Sequence, residues 1–387
     1  MVGPSWLHTA WQHRRIAPTH VLQCTIICGV WQMNGKIDRS FWRGRTVFVT
    51  GHSGFKGSWL QLLLSRLGAD VVGYALPPPT DPSLFAMLGF SHGAGDGADI
   101  RDGAALGTAV ASSGAEIVLH LAAQALVRES YATPAATYDA NLMGTVNVLE
   151  ACRAAPSVRT IVAITTDKVY QNLGLERGYV EDDRLGGRDP YSNSKACAEL
   201  AVQSYRDSFF AAAGIGVATA RAGNVIGGGD FAADRIVPDA VRSFVAGKPL
   251  QVRNPLAVRP WQHVLDPLGG YLVLAQALHA DPSLAGGWNF GPPACDTASV
   301  GVVADKLAAL WGTDARWEHD GGEHPHEAHL LRLDPAKAER LLGWTQLLDL
   351  DETLALTAKW YRHWAAGEDS AVITAEQCNG FLDRMTC

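Results

Sequence analysis

Arg45-Thr46-Val47-Phe48-Val49-Thr50-Gly51-His52-Ser53-Gly54-Phe55-Lys56-Gly57 decides the fold of this chain. The β-branched and aromatic run Thr46 to Thr50 reads as a buried parallel strand. Glycines follow at Gly51, Gly54 and Gly57. Behind them, Ser58-Trp59-Leu60-Gln61-Leu62-Leu63-Leu64-Ser65-Arg66-Leu67 carries an apolar face at helical spacing. Strand, glycine turn and helix together form the entry unit of a dinucleotide-binding fold. Such glycines permit a tight turn, close approach of a pyrophosphate and close helix–strand packing. The helix N-terminus offers unpaired N–H groups and the positive end of its dipole to phosphates. Gly51, Ser53, Gly54, Phe55, Lys56 and Gly57 are therefore candidate cofactor-binding residues. The spacing is G-x-x-G-x-x-G, and it gains its meaning from the strand before it and the helix after it.

Composition sets the frame around this unit. The 387 residues are 47% hydrophobic and 18% charged, enough for a large core in one large or two smaller domains. A net charge of −7 with no long basic run argues against nucleic acid as a partner. No apolar run reaches transmembrane length, so no membrane partner is expected. The seven cysteines are scattered and form no paired CxxC set, which points to a reducing compartment and away from zinc. His324, His326 and His329 match no closed ligand set and read as solvated loop histidines; no metal is expected. Residues 1 to 40 fit poorly with the rest. Arg14-Arg15 and the mildly apolar run from Val21 to Trp31 mimic a secretory signal, but Met33 stands just before the first strand. Residues 1 to 32 are read as a mis-assigned start or an extension, and the location as cytoplasmic.

Downstream, strands and helices alternate. Val71 to Ala75 reads as a second strand. No acid ends it to hold a ribose, and no Arg or Lys stands near for a 2′-phosphate, so it leaves NAD and NADP open with a lean to NAD. Asp99-Ile100-Arg101-Asp102 suits the end of a third strand, with Asp99 and Ile100 near the adenine. Asp102 reads equally as a helix-capping acid. Glu116 to Gln124 is a fourth strand, in which His120 is a packed core histidine. It ends in Leu121-Ala122-Ala123, where small residues let backbone approach a flat ligand. Arg159 to Tyr170 is a fifth strand, carrying Thr166, Asp167 and Lys168 at its carboxyl end, where open parallel sheets place their chemistry. Tyr191 and Lys195 lie four apart on a helix entered by Pro190, so they share a face. An ammonium and a nicotinamide cation beside the phenol would favour phenolate and make Tyr191 a base near neutral pH. Val217 to Asp230 is a sixth strand running into a loop. The rest is rich in arginine and turns and reads as a substrate-binding part, mostly small helices.

The fold expected is α/β: a Rossmann-type doubly wound parallel sheet with a smaller, mostly helical carboxyl-terminal substrate-binding part. The boundaries are 1–40 for the extension, 41–225 for the cofactor-binding domain and 226–387 for the substrate region, some of whose segments return to the first domain.

The glycine turn, His120-Leu121-Ala122-Ala123, Thr166-Asp167-Lys168-Val169-Tyr170, Tyr191 through Lys195 and Arg221-Ala222-Gly223-Asn224-Val225 together resemble the extended short-chain dehydrogenase/reductases. Gly51 through Trp59, Tyr191-Ser192-Asn193-Ser194-Lys195 and the run from Arg253 to Val264 narrow the resemblance to the CDP-glucose 4,6-dehydratase subfamily, over about residues 38 to 380. That resemblance implies NAD as cofactor and CDP-glucose as substrate, with NAD reduced and reoxidised within each turnover. It implies that Tyr191 takes the sugar 4-hydroxyl proton, Lys195 holds the nicotinamide ribose and lowers the Tyr191 pKa, Thr166 bonds the 4-oxygen, and Asp167 is the acid as water leaves carbon 6. Asn224, Arg235 and Arg259, and with them Arg253, fall where that family contacts the nucleotide diphosphate. A homodimer or a dimer of dimers is also implied.

Two departures from the dTDP-glucose dehydratases stand out. Those have Thr-Asp-Glu where this chain has Thr166-Asp167-Lys168, which puts the carbon-5 base in question and Lys168 in its position. They also have an Arg at about the place of His324. Rival readings are another nucleotide-sugar dehydratase or an epimerase, against which Asp167 speaks, and a non-catalytic NAD-binding regulator, against which the intact Tyr191–Lys195 pair speaks.

Overall fold

The computed structural model describes residues 34–90, 97–293, 296–312, 314–322 and 331–386. The extension before Met33 and the three histidines at 324, 326 and 329 lie outside them. Six parallel strands form the central sheet: β1 (Thr46–Thr50), β2 (Asp70–Tyr74), β3 (Ile117–His120), β4 (Thr160–Ile164), β5 (Gly216–Ala222) and β9 (Gly286–Phe290), in the order β2-β1-β3-β4-β5-β9. The chain steps from β1 to β2 on one side, then returns to place β3 on the other. That reversal opens a crevice beyond the carboxyl ends of β1 and β3.

Successive residues of these strands feed opposite faces of the sheet. Val47, Val49, Ile117, Leu119, Val162, Ile164, Ala218 and Ala220 join one buried cluster. Phe48, Val118, Ile161, Ala163 and Val217, which alternate with them, join another. Both faces are apolar because both are covered. Trp59, Leu60 and Leu63 of the helix Phe55–Arg66, with Leu268, Tyr271 and Leu272 of the helix Leu265–Ala280, cover the first face. Leu106 and Val110 of Gly103–Ser113, Val148 and Cys152 of Gly144–Ala154, and Val202 of Pro190–Tyr205 cover the second. Continuous apolar strands and two helical layers make a doubly wound α/β fold.

The expected third strand at 99–102 does not form. The segment is a polar turn in which the Arg101 backbone N–H and guanidinium both donate to the Asp99 carboxylate, at 2.9 and 2.8 Å. With Ile100 the single apolar residue among the four, little favours a buried strand there. Asp102 takes its other reading: its side chain caps the helix Gly103–Ser113 by accepting from Ala105 N–H at 3.0 Å. The sheet's third strand in sequence is therefore Ile117–His120.

Beyond β5 the chain builds smaller sheets: β6 (Asn224–Ile226), β8 (Val258–His263) and β10 (Thr297–Ser299) in one, β7 (Leu250–Val252) and β11 (Trp317–His319) in another. Its helices are not all small: Leu265–Ala280, Leu350–Ala365 and Ser370–Met385 have 16 residues each. Among the described residues, no helix is long and apolar enough to cross a membrane.

Candidate active site

Two glycines of the turn, Gly51 and Gly57, are held by contacts that leave no room for a side chain. Gly51 adopts φ +72°, and a Cβ there would stand 2.7 Å from the Ala122 nitrogen. A Cβ on Gly57 would stand 2.1 Å from the Gly51 carbonyl oxygen. Gly54 caps the helix Phe55–Arg66 without a side-chain hydrogen bond, so the N–H groups of the first turn keep their anion-binding capacity. The Ser53 hydroxyl donates to the Leu76 carbonyl at 2.7 Å and ties the turn to the end of β2. This cradle fits a dinucleotide pyrophosphate.

His120 is the core histidine expected. Its Nε2 lies 3.0 Å from the Thr145 hydroxyl, which donates to the Asn141 carbonyl at 2.7 Å. Nε2 therefore carries the proton, and Nδ1 accepts from the Thr50 hydroxyl at 2.7 Å. Thr50 Oγ1 in turn accepts from the N–H groups of Leu121 and Ala122, at 3.2 Å each. Burial holds the ring neutral, its pKa pushed down to about 3. The network fixes Leu121-Ala122-Ala123 against the glycine turn.

A cleft of about 1880 Å³ runs along the carboxyl edge of the sheet. Every site residue read from the sequence lines it: Gly51, Ser53, Gly54, Phe55, Lys56 and Gly57 of the glycine turn, Asp99, Ile100, Leu121, Ala122 and Ala123, with Thr166, Asp167, Lys168, Tyr191 and Lys195, and with Asn224, Arg235, Arg253 and Arg259. Asp99 has its carboxylate engaged by Arg101.

Burial governs the charges at the centre. Asp167 is 1% exposed; one oxygen accepts from the Thr166 hydroxyl at 2.9 Å, and the other is buried without a hydrogen-bond partner. Desolvation raises its pKa, against the pull of Lys168, Thr166, Arg259 and Lys56. The Tyr191 phenol, hydrogen-bonded to Thr166, is pushed up to about 12 by burial. The Lys195 amine donates to the Ile164 carbonyl at 3.1 Å and is pushed down to about 8 by burial, with Glu199 opposing. Lys56 is pushed down to about 8, by burial first and then by Arg235. In the protein by itself the phenol is therefore raised, not lowered. Desolvation exceeds the charge effects, and the groups that oppose it are Thr166 and Arg235.

The sequence profile of the GDP-mannose 4,6 dehydratase family matches residues 48–357. The chain belongs to this family. It is 48% identical over 361 residues to the CDP-glucose 4,6-dehydratase of Salmonella typhimurium, covering 90% of this chain and 99% of that one. It is 30% identical to the dTDP-glucose 4,6-dehydratase of Streptomyces griseus, over 82% of this chain and 95% of that one. Among solved structures, the dTDP-glucose 4,6-dehydratase of Streptomyces venezuelae with NAD bound superposes with a TM-score of 0.68 at 25% identity, over 84% of this chain and 99% of that one.

The structure also supplies groups that the sequence reading passed over. Glu199, one helical turn beyond Lys195, receives hydrogen bonds from Thr165 (2.5 Å), Thr219 (2.6 Å) and the Arg221 guanidinium (2.9 and 2.8 Å). Arg221 also donates to the Tyr170 hydroxyl at 2.6 Å, and Tyr170 to Asn289 at 2.8 Å. The network ties the end of β4, β5, β9 and the helix Pro190–Tyr205 together, and Glu199 acts on the charge of Lys195. The spacing Tyr191, Lys195, Glu199 on one helix face was its visible signal. Asp230 pairs with Arg235 at 2.8 Å, and Arg128 lines the cleft; neither carries a local motif.

Proposed function

We propose that this chain is an NAD-dependent hydro-lyase converting CDP-D-glucose to CDP-4-dehydro-6-deoxy-D-glucose and water. The observation that carries the reading is Asp167: a buried carboxyl, biased toward its protonated form, beside the Thr166–Tyr191 pair. A carboxyl whose hold on a proton is raised by burial at that place suits the departure of a hydroxyl as water, a step that an epimerase does not need. The 48% identity to a CDP-glucose 4,6-dehydratase supports the nucleotide.

NAD, when bound, supplies the hydride acceptor and later the hydride donor. The glycine turn and the first turn of the helix Phe55–Arg66 hold its phosphates, with Leu121, Ala122 and Ala123 beside it and Asp99 and Ile100 toward the adenine. Lys195 holds the nicotinamide ribose. Tyr191 accepts the 4-hydroxyl proton, with Thr166 placed to bond the 4-oxygen. Once carbon 4 is a ketone, the carbon-5 proton is acidic; Lys168 stands next to Asp167 to assist its removal while Asp167 protonates the leaving 6-hydroxyl. Asn224, Arg235, Arg253 and Arg259 hold the nucleotide diphosphate.

The assembly is read as a homodimer, or a pair of them. Tyr131, Met143, Leu200 and Phe209 are large apolar side chains left 46% to 54% exposed, which supports burial of some of them against a second copy. The location is read as cytoplasmic.

The test is a panel of CDP-, dTDP-, GDP- and UDP-glucose or -mannose with NAD, followed by the alkali-absorbing 4-keto product. Turnover of CDP-glucose well above the others is the expected result. Equal or better turnover of another nucleotide sugar, or a 4-epimer as product, would overturn the assignment.

A further inference from the structure

Asp234 is, among the described residues, the only non-glycine with a positive φ, at 62°. Asp tolerates this region better than most residues. Its carboxylate lines the cleft and holds two arginines from distant segments on a single oxygen, Oδ1. Arg128, from the short helix Val127–Ala132 after β3, stands at 3.1 Å. Arg253, just past β7, stands at 2.9 Å and also donates to the Asp234 carbonyl at 3.4 Å. All three residues line the cleft, as does the neighbouring Arg235, which has its own partner in Asp230.

The arrangement has the form of an anion site. Guanidinium groups that converge on one carboxylate oxygen are spaced to receive a phosphate oxygen in its place. The pairs are also exchangeable. The side chains of Arg128, Asp234 and Arg253 are 45%, 41% and 25% exposed, and exposed pairs of this kind contribute little each. A diphosphate brings two negative charges and more acceptor oxygens than one carboxylate.

We propose that Asp234 is an internal counter-anion that holds Arg128 and Arg253 in place and yields them to the diphosphate of the incoming nucleotide sugar. Arg128 is then a substrate-binding residue contributed by the sheet domain. Asp234 is a competitor that lowers the affinity of the site, because only molecules with the latch open are ready to bind. The inference rests on the proposed substrate class, a nucleoside diphosphate sugar, and not on cytosine.

Titration calorimetry on the full-length chain with CDP, using cytidine as the phosphate-free control, tests it. Arg128→Met should weaken CDP binding roughly tenfold or more, the scale of a charge-assisted hydrogen bond. Asp234→Asn tolerates the same backbone conformation and removes the charge. It should tighten CDP binding about three- to tenfold, the scale of two exposed ion pairs. Cytidine binding should not move in either variant. A purely structural role for Asp234 predicts weaker binding, the opposite sign. Unchanged or weaker CDP binding by Asp234→Asn, or unchanged binding by Arg128→Met, would overturn the proposal. UDP and dTDP should report the same two shifts. If CDP-glucose proves not to be the substrate, the latch is therefore still judged by its own outcome.

Discussion

Replacing Glu199 with glutamine should separate stability from catalysis at the base of the active site. Glu199 and Arg221 have side chains only 4% and 5% exposed, 2.8 Å apart at their closest. Removing one charge of such a pair leaves the other buried and uncompensated, at a cost of about 3–5 kcal/mol. Glutamine keeps the volume and an acceptor oxygen, so the lower end, about 3 kcal/mol, is expected. For a chain of this length the entropy of unfolding is roughly 0.8 kcal/mol/K near 60 °C, so the melting temperature should fall by about 4 °C. Glu199 has a lowered pKa, chiefly from Arg221 against the burial that would raise it. Its contribution is therefore present above its ordinary value of 4.5 and is lost as pH falls through the lowered folded value. The gap between wild type and variant should close on strong acidification. Catalysis should respond separately. Glu199 raises the proton affinity of Lys195, which burial has already brought down to about 8. Without that carboxylate the amine loses its proton at lower pH, and the alkaline limb of the kcat profile should move to lower pH. Calorimetric melting and a kcat–pH series on the same preparation read both effects. A melting temperature within 1 °C of wild type would refute the energetic argument. An unmoved alkaline limb would remove Glu199 from any influence on Lys195.

Tyr191→Phe should still bind the cofactor and CDP-glucose while kcat falls about 10²- to 10⁴-fold, the usual loss for a general base; near-normal turnover would take Tyr191 out of that role. Lys168→Met should complete the first hydride transfer and stall before elimination, so that single-turnover mixing shows persistent NADH absorbance and little exchange of the carbon-5 hydrogen in deuterated solvent. Normal turnover, or no NADH with substrate bound, would exclude Lys168 from elimination. Asp266, pushed up to about 7 by burial, contributes stability that is fully present below its ordinary 3.8 and lost as pH rises through about 7. Wild type should therefore lose about 2–3 kcal/mol between pH 5 and pH 9, and Asp266→Asn should not; parallel melting curves for the two proteins would show that Asp266 titrates normally.

The chain announced what is local and concealed what is not. β1, the glycine turn and the helix Phe55–Arg66 are contiguous, and Gly51 and Gly57 are required by contacts within the same stretch or with Leu121-Ala122 just past β3. Tyr191 and Lys195 were legible because helical spacing alone places them on one face. The strand expected at Asp99 failed because its polar residues satisfy one another in a turn, and a single apolar side chain offers too little to bury. Arg221 and Glu199 lie 22 positions apart, and Arg128 and Asp234 meet only through the fold. No periodicity records such pairings.

The charge state of the catalytic centre is the clearest case of information that only the fold holds. Reference values make Asp167 an anion, Lys195 and Lys56 cations and Tyr191 a neutral phenol that a nearby lysine could activate. The fold pushes each charged form toward neutrality, because desolvation is the largest influence on all four. A proton on Asp167 suits an acid that must hold it until a hydroxyl leaves. An amine near 8 stays mostly protonated at neutral pH, but a phenol near 12 keeps its proton, so a Tyr191 base would need further positive charge delivered from outside the chain. The nicotinamide cation of bound NAD would have the required sign, and would carry it only before hydride transfer. On the proposed mechanism Tyr191 would act as a base while the sugar is oxidised and not afterwards, and the same loss of positive charge would favour the protonated form of Asp167 for elimination. Burial would thus set resting proton affinities from which, on the proposed mechanism, one change of cofactor charge moves Tyr191 and Asp167 in the order the two half-reactions require.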